Sequence, residues 1–177
     1  MHPLVSLAKK AIESYIKEGK IIEIPIDTPK EFLEKQAGVF VTIEKNGKLR
    51  GCIGTYLPTQ RNIAKEVIEN AISAATQDYR FQPVQKEELS ELSFTVYVLN
   101  KPEPIKTIEE LNPKKFGIIV KKIPTQEEFI EKTGLLLPDL EGVDTIEKQI
   151  FIACQKAGIN PLKEKFLIYK FTVEKYQ

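Results

Sequence analysis

The dipeptide Asn46-Gly47 is the feature of this sequence that most constrains the fold. It separates one β-rich run, Val39 to Lys45, from a second run, Lys48 to Ile53. Asparagine and glycine adopt the positive φ angles that a two-residue hairpin turn requires, and a turn of this length sets the pairing of its strands. The sequence therefore predicts an antiparallel hairpin over residues 39–53.

The predicted pairing assigns each side chain of the hairpin to a face. Counting outward from the turn places Thr42 opposite Gly51 and Val41 opposite Cys52. Because side chains alternate along a strand, Arg50 and Cys52 are expected on the same face as Val41 and the alternate apolar residues Val39 and Ile43 of the first strand. Both faces carry apolar residues, so we expect other elements to cover both.

The second strand contains the hexapeptide Leu-Arg-Gly-Cys-Ile-Gly at residues 49–54. Glycine weakens an ordinary strand interior, yet this strand contains both Gly51 and Gly54. A glycine in a strand often marks a place where a ligand or another backbone approaches closely. The hexapeptide therefore predicts a functional site around Cys52.

Arginine is rare in this chain and is concentrated near the hexapeptide. Of the 26 basic residues, three are arginine: Arg50, Arg61 and Arg80. Arginine differs from lysine in its planar, forked set of donors, which suits two-point binding of an anion. Arg50 lies two positions from Cys52, and a cation near a thiol stabilises the reactive thiolate.

Two interpretations of Cys52 stay open. It is either a nucleophile or covalent acceptor, or a small apolar residue on a covered strand. The one histidine of the chain, His2, lies at a terminus, which argues against a cysteine–histidine hydrolase. A reactive thiol would depend on Arg50, on backbone amides or on a carboxylate such as Asp78. Cys154 falls on the apolar stripe of a helix and is expected in the core.

The remaining candidates predict an anion site beside the thiol. The candidate ligand-binding residues are Thr42, Arg50, Gly51, Gly54, Asp78 and Arg80. An arginine fork binds a carboxylate or phosphate, and Gly51 would leave room for a ligand above Thr42. Structural alternatives stay open: Arg50 could pair with a glutamate, and Gly51 could allow a helix to pack closely. Asp78 and Arg80 could form a local turn with an ion pair.

The element pattern predicts an α+β fold with a mixed or antiparallel sheet. Three main helices are expected over residues 3–18, 59–76 and 144–158. Further strands are expected over residues 92–99, 116–121 and 166–173, with irregular chain at 122–143 and one short helix at 127–132. Residues 1–177 are expected to form a single domain with a larger and a smaller lobe and a seam near residues 100–104.

The composition argues against several classes of function. A formal net charge of +1 disfavours nucleic-acid binding, which usually needs a basic excess. Because the chain has no long apolar run and no signal peptide, we expect no membrane association and a cytoplasmic location, where its two cysteines stay reduced. No residue spacing predicts a metal site or a cofactor. The high Lys, Glu and Ile content suggests growth at high temperature.

Residues 49–54, preceded by Gly38 to Thr42, resemble the signature of the AMMECR protein family, which is named for an Alport-syndrome and elliptocytosis chromosomal region. Further similar stretches are Asn70-Ala71, Asp78 to Phe81, Gly117 to Val120 and Leu136 to Pro138. The resemblance covers about residues 5–172. It implies a compact α+β fold with two lobes, a cytoplasmic protein, and a link to Memo-like proteins and radical S-adenosylmethionine proteins. It implies no activity.

The residues support three functional hypotheses. The favoured one is a domain that binds a small anionic ligand or a modified peptide at Leu49 to Gly54, with Cys52 as the reactive or contacting group. The second is a non-catalytic adaptor that binds another protein. The third, disfavoured by the charge balance, is a nucleic-acid-associated protein. The reactivity of Cys52 in the folded chain separates the first two.

Overall fold

The computed structural model describes residues 1–125 and 131–177. The chain divides into two compact units: Met1–Leu99 with Glu174–Gln177, and Asn100–Val173. This boundary lies beside residues 100–104, where the sequence predicted a seam. Antiparallel pairing in the sheets and the presence of long helices confirm the predicted α+β class.

The described residues contain the following elements. The α-helices are α1 (Pro3–Glu18), α2 (Lys30–Glu34), α3 (Ile63–Thr76) and α4 (Ile146–Ala157). The strands are β1 (Val39–Lys45), β2 (Lys48–Thr55), β3 (Leu92–Leu99), β4 (Glu103–Pro104), β5 (Gly117–Lys122), β6 (Thr133–Leu136), β7 (Phe166–Phe171) and β8 (Val173–Tyr176). Short 3₁₀ helices span Lys86–Glu91 and Ile108–Glu110.

The three long helices α1, α3 and α4 correspond to the three that the sequence predicted. Helix α3 begins at Ile63, later than the predicted start at Thr59. Asn62 caps it, because the Asn62 side chain accepts a hydrogen bond from the Lys65 N–H group. An asparagine side chain satisfies a backbone donor of the first turn as well as a threonine does.

The first unit packs α1 and α3 on a four-stranded sheet with the strand order β2-β1-β3-β8. Apolar residues of both helices, including Leu4, Ile12 and Ile68, are fully buried together with Val41 and Val96 of the sheet. Strand β2 lies at one edge of this sheet. The polar backbone groups on its outer side therefore need partners from outside the sheet.

A β-bulge in β2 shifts the hairpin by one residue from the predicted pairing. Arg50 is the additional residue, and beyond it Thr42 faces Cys52 while Ile43 faces Gly51. One extra residue in a strand moves every following side chain to the opposite face. The prediction that Cys52 shares a face with the core residues of β1 is therefore wrong. Cys52 lies on the other face, with Thr42.

The two glycines of β2 make room for neighbouring protein atoms. A Cβ atom at Gly51 would lie 2.3 Å from the carbonyl oxygen of Ala74 in α3, and one at Gly54 would lie 2.3 Å from Cγ of Phe40. The expectation that Gly51 leaves room for a ligand above Thr42 is therefore corrected. Gly51 allows α3 to pack closely against the hairpin, which was its structural alternative.

The second unit has its own four-stranded sheet, with the strand order β4-β7-β5-β6, and α4 packs on β5 and β6. Cys154 is fully buried in its core with Ile118, as predicted, and burial raises the pKa of the Cys154 thiol. The stretch predicted as irregular, 122–143, contains β6. The short helix predicted at 127–132 falls mainly outside the described residues.

A buried carboxylate in α3 holds the loop that follows β2. Glu66 is almost completely buried and accepts hydrogen bonds from the hydroxyls of Thr55 and Thr59 and from the backbone N–H groups of Thr59 and Gln60. Asn70, one turn further along α3, donates to the carbonyl oxygen of Val39 at 3.0 Å. These bonds fix the chain between β2 and α3 against the hairpin.

Replacing Glu66 by glutamine is expected to lower the free energy of unfolding by roughly 1–3 kcal/mol. Glutamine keeps one acceptor oxygen where the loop uses two, and its amide N–H groups would face other donors. Urea unfolding measures the change. Glu69→Gln is the matched control, because Glu69 lies on the same helix in a surface pair with Lys65, at 3.0 Å. Equal losses in the two variants would contradict the assigned role.

Candidate functional site

The backbone of Cys52 is held by the turn that follows α3. The Asp78 carboxylate accepts a hydrogen bond from the Cys52 N–H group at 2.9 Å, and Nη2 of Arg80 donates to the Cys52 carbonyl oxygen at 3.4 Å. Because Cys52 lies on an edge strand, these two groups have no neighbouring strand to pair with. Asp78 and Arg80 take the place of that strand.

Asp78 and Arg80 also bind each other. Nε and Nη2 of Arg80 donate to the two carboxylate oxygens of Asp78 at 2.9 and 2.7 Å. The bonds from the Arg80 side chain, and then those from the backbone of Cys52 and Arg80, lower the pKa of Asp78 to about 2. The local turn with an ion pair, which the sequence left open, is therefore present. The same arginine also reaches the hairpin.

The sulfur of Cys52 has a hydroxyl donor and a cation beside it. The Thr42 hydroxyl donates a hydrogen bond to Sγ with an oxygen–sulfur distance of 3.2 Å, and the Cys52 side chain is half-buried. The pKa of Arg80 is raised, mainly by its hydrogen bonds to Asp78 and in smaller part by the charge of the Cys52 thiolate. The same attraction favours the thiolate. Arg80 is therefore the arginine whose charge interacts with Cys52, whereas the sequence predicted that Arg50 would do so.

Arg50 is occupied by a carboxylate of the same chain. Its Nε and Nη2 donate to the two carboxylate oxygens of Glu88 at 2.9 and 2.8 Å. These bonds, with a smaller contribution from Lys45, lower the pKa of Glu88 to about 2. Pairing with a glutamate was the structural alternative for Arg50. Glu88 thus takes the position in which the sequence predicted an external anion.

Phe81 contacts both arginines. The guanidinium carbons of Arg50 and Arg80 lie 5.9 and 5.5 Å from the centre of its ring, within the range of cation–π attraction. The two guanidinium groups therefore meet at an aromatic ring, and each has its own carboxylate partner. Arg50, Glu88, Phe81, Arg80 and Asp78 thus form one connected group, and Asp78 and Arg80 join it to the backbone of Cys52.

Sequence reasoning missed the roles of Glu88 and Phe81. Glu88 lies in the 3₁₀ helix Lys86–Glu91 and also accepts from the Gln85 N–H group at 2.9 Å. A glutamate three positions after a capping residue is a sequence pattern of a helix start, so the helix could have been found. The pairing of Glu88 with an arginine could not have been found from a local pattern, because Arg50 lies 38 positions away in the chain.

The described residues contain no group of three His, Cys, Asp or Glu side chains placed to hold a metal ion. Among residues 1–125 and 131–177, no helix has the length and apolar content needed to cross a membrane. His2 caps α1, where Nδ1 accepts from the Leu4 N–H group, and its ring stacks on Tyr176.

The chain matches the AMMECR1 family over residues 5–176 and belongs to that family. The matched range includes Cys52, the Asp78–Arg80 pair and Glu88. The family resemblance inferred from residues 49–54 is therefore confirmed.

The sequence matches to the relatives below extend over nearly the whole length of this chain. A protein of Thermotoga maritima is 50% identical over 177 residues, which cover 99% of this chain and 98% of the relative. A protein of Clostridium acetobutylicum is 46% identical over 176 residues, which are 99% of this chain and 36% of that longer protein. The crystal structure of the uncharacterized protein PH0010 from Pyrococcus horikoshii has a TM-score of 0.86 at 39% identity, over 97% of this chain and 88% of that one. The fold is therefore shared with a solved structure.

The ion pair between Glu88 and Arg50 is expected to make stability depend on pH. The folded-state pKa of Glu88 is about 2, below its ordinary value of 4.5, so the pair contributes fully above about pH 4.5. This contribution is lost as pH falls towards 2, because protons then bind the unfolded chain first. Urea unfolding between pH 7 and pH 2 is expected to show a larger loss of stability in the wild type than in Glu88→Gln.

Glu87→Gln is the matched control for this measurement, because Glu87 is an exposed neighbour in the same 3₁₀ helix. It should retain the wild-type dependence on pH. A Glu88→Gln profile that runs parallel to the wild type over the whole range would show that the pair contributes nothing.

Proposed function

We propose that this AMMECR1-family protein uses Cys52 as the reactive or contacting group for a small anionic ligand or a modified peptide. The observation that carries the proposal is the position of the half-buried Cys52 sulfur, which accepts the Thr42 hydroxyl and interacts with the charge of Arg80. Both neighbours favour the thiolate, which is the nucleophilic form of cysteine.

Arg80 is the residue of this site that would hold an anion. Asp78 occupies Nε and Nη2, whereas Nη1 has no hydrogen-bond partner among the described residues. An anion can therefore bind Nη1 without breaking the ion pair. Asp78 acts as a positioning residue in this scheme, because it fixes both the Cys52 backbone and the Arg80 side chain. Gly51 and Gly54 allow close packing of neighbouring protein atoms. The proposed binding of the anion does not use their backbone amides.

The two carboxylates that pair with the arginines are poor proton acceptors. Asp78 and Glu88 each have a pKa of about 2 because each is bound to an arginine. His2 caps α1 and stacks on Tyr176. General-base catalysis needs a group whose pKa lies near the working pH. Neither Asp78 nor Glu88 therefore suits the role of general base for Cys52.

We further propose that the protein acts in a reducing cytoplasm, together with Memo-like and radical S-adenosylmethionine proteins. The link to these partners is what the resemblance of residues 49–54 to the AMMECR signature implies. A reducing compartment keeps both cysteines as thiols, which the proposed chemistry of Cys52 requires.

A non-catalytic adaptor is the second candidate function. Tyr79 lies between Asp78 and Arg80 and is 95% exposed, while hydrogen bonds on both sides hold the turn that carries it. A fixed and exposed tyrosine is a common anchor in protein interfaces. An adaptor of this kind would not need a reactive thiol at Cys52.

Cys52 is expected to react with iodoacetamide in the folded protein, whereas buried Cys154 reacts only after unfolding. Arg80→Ala is expected to slow this reaction about tenfold, since one pK unit of lost thiolate stabilisation has that effect. Iodoacetate carries a negative charge, so its reaction should slow even more. Mass spectrometry of the Cys52 peptide over time gives both rates.

Arg61→Ala is the matched control, because Arg61 is an exposed arginine outside the described ion pairs. It should leave both rates unchanged. If Cys52 resists iodoacetamide until the chain unfolds, the reactive-thiol function is excluded and the adaptor is favoured. If Arg80→Ala slows the two reagents equally, Arg80 does not attract anions to the site.

A further inference from the structure

We infer that the exposed face of α4 is a docking surface for a second copy of this chain, and that the two copies meet in an antiparallel contact around a two-fold axis. This face carries an exposed aromatic ring, Phe151, a groove beside it, and two neighbouring side chains of opposite charge, Glu147 and Lys148. All of these residues lie in the second unit, so the inference does not depend on the proposed function of Cys52.

Phe151 lies on the side of α4 that faces away from the core. The helix buries Gln149 and Ala153 completely, and each is two positions from Phe151. Successive helical residues are about 100° apart, so Phe151 points about 160° away from both buried residues. The Phe151 side chain is 51% exposed. An amphipathic helix normally carries polar residues there, whereas aromatic residues are enriched in protein interfaces.

A groove of about 600 Å³ lies beside this ring, and a fixed turn extends its apolar surface. The turn after α4 is held by Asn160, whose side-chain oxygen accepts a hydrogen bond from the Leu162 N–H group at 3.0 Å. Leu162 is 94% exposed and follows Pro161, which lines the groove. Contiguous apolar surface on fixed elements loses little conformational entropy when it is covered. The groove is lined by Thr145, Glu147, Lys148, Ile150, Phe151 and Pro161.

The charges at the groove identify the partner as a second copy. Glu147 and Lys148 are both exposed, and neither side chain has an ion-pair partner among the described residues. If a two-fold axis passes between these positions, each Glu147 faces the Lys148 side chain of the other copy, and two reciprocal ion pairs form. A partner surface of one sign would leave either the acid or the base unpaired. The surface is therefore complementary to itself.

The same axis brings each Phe151 ring to the groove of the other copy. Around the helix, the direction midway between Glu147 and Lys148 differs from that of Phe151 by about 10°, so all three face the second copy. In this antiparallel contact, position 151 lies opposite position 144 of the other copy, next to the groove residue Thr145. A net charge of +1 causes little repulsion between two copies.

Sedimentation velocity of the full chain between roughly 1 μM and 1 mM tests the inference, because a contact of one helix and one turn is smaller than a standard interface and should dissociate in this range. The wild type is expected to change from monomer to dimer. Phe151→Glu should weaken dimerisation at least about 100-fold, since the ring occurs twice in the contact. Ile108→Glu is the matched control, because Ile108 is a 48% exposed apolar residue of the same unit that does not line the groove. It should leave the dimerisation unchanged.

Charge reversal tests the two-fold geometry with residues whose exposed position makes misfolding an inadequate explanation. Glu147→Lys and Lys148→Glu should each weaken the dimer about tenfold, because each replaces two ion pairs by two like-charge contacts. The double variant restores both pairs and should dimerise as the wild type does. Circular dichroism establishes that each variant is folded.

Three results would overturn the inference. The first is a wild type that stays monomeric at every concentration, which would leave the α4 face to a partner of another kind. The second is a dimer that Phe151→Glu does not weaken, which would place the contact elsewhere on the chain. The third is a double charge reversal that dimerises no better than the single variants, because Glu147 and Lys148 would then not face each other.

Discussion

Two side chains, Asp78 and Arg80, replace a missing strand at the edge of the first sheet, and the arrangement around Cys52 depends on them. The Asp78 carboxylate accepts a hydrogen bond from the Cys52 N–H group, and the Arg80 guanidinium donates one to the Cys52 carbonyl oxygen. An unpaired edge strand invites pairing with other chains. Because charged groups cover this edge, the thiol can lie near the surface without exposing the backbone beside it. The pair also fixes Arg80 next to the sulfur on which it acts.

Close packing of α3 brings that pair to its position. The helix approaches the hairpin at Gly51, where the Ala74 carbonyl oxygen would touch any larger side chain. Asp78 follows Ala74 by about one helical turn and therefore arrives beside Cys52, the next residue of the strand. Gly51 and Asp78 therefore depend on the same close approach of α3 to the hairpin. The helix must come close enough for its end to reach the strand edge.

The charges beside Cys52 are almost balanced. Arg50 is paired with Glu88, and Arg80 is paired with Asp78, so the site carries no large excess of positive charge. The directed donors of Thr42 and Arg80 therefore matter more than the overall field, and they suit a small, singly charged anion better than a polyanion. The formal net charge of +1 for the whole chain agrees with this balance.

The sequence by itself determined the hairpin, the three long helices, the buried position of Cys154 and the membership of the family. These follow from turn chemistry, apolar spacing and a six-residue motif, all of which act over short distances in the chain. Only the tertiary structure decided that Thr42 faces Cys52, that Glu88 forms an ion pair with Arg50 and that Arg80 is the arginine whose charge interacts with Cys52. One bulge residue reverses the faces of a strand, and the decisive contacts join groups 26 and 38 positions apart, so no local pattern could specify them.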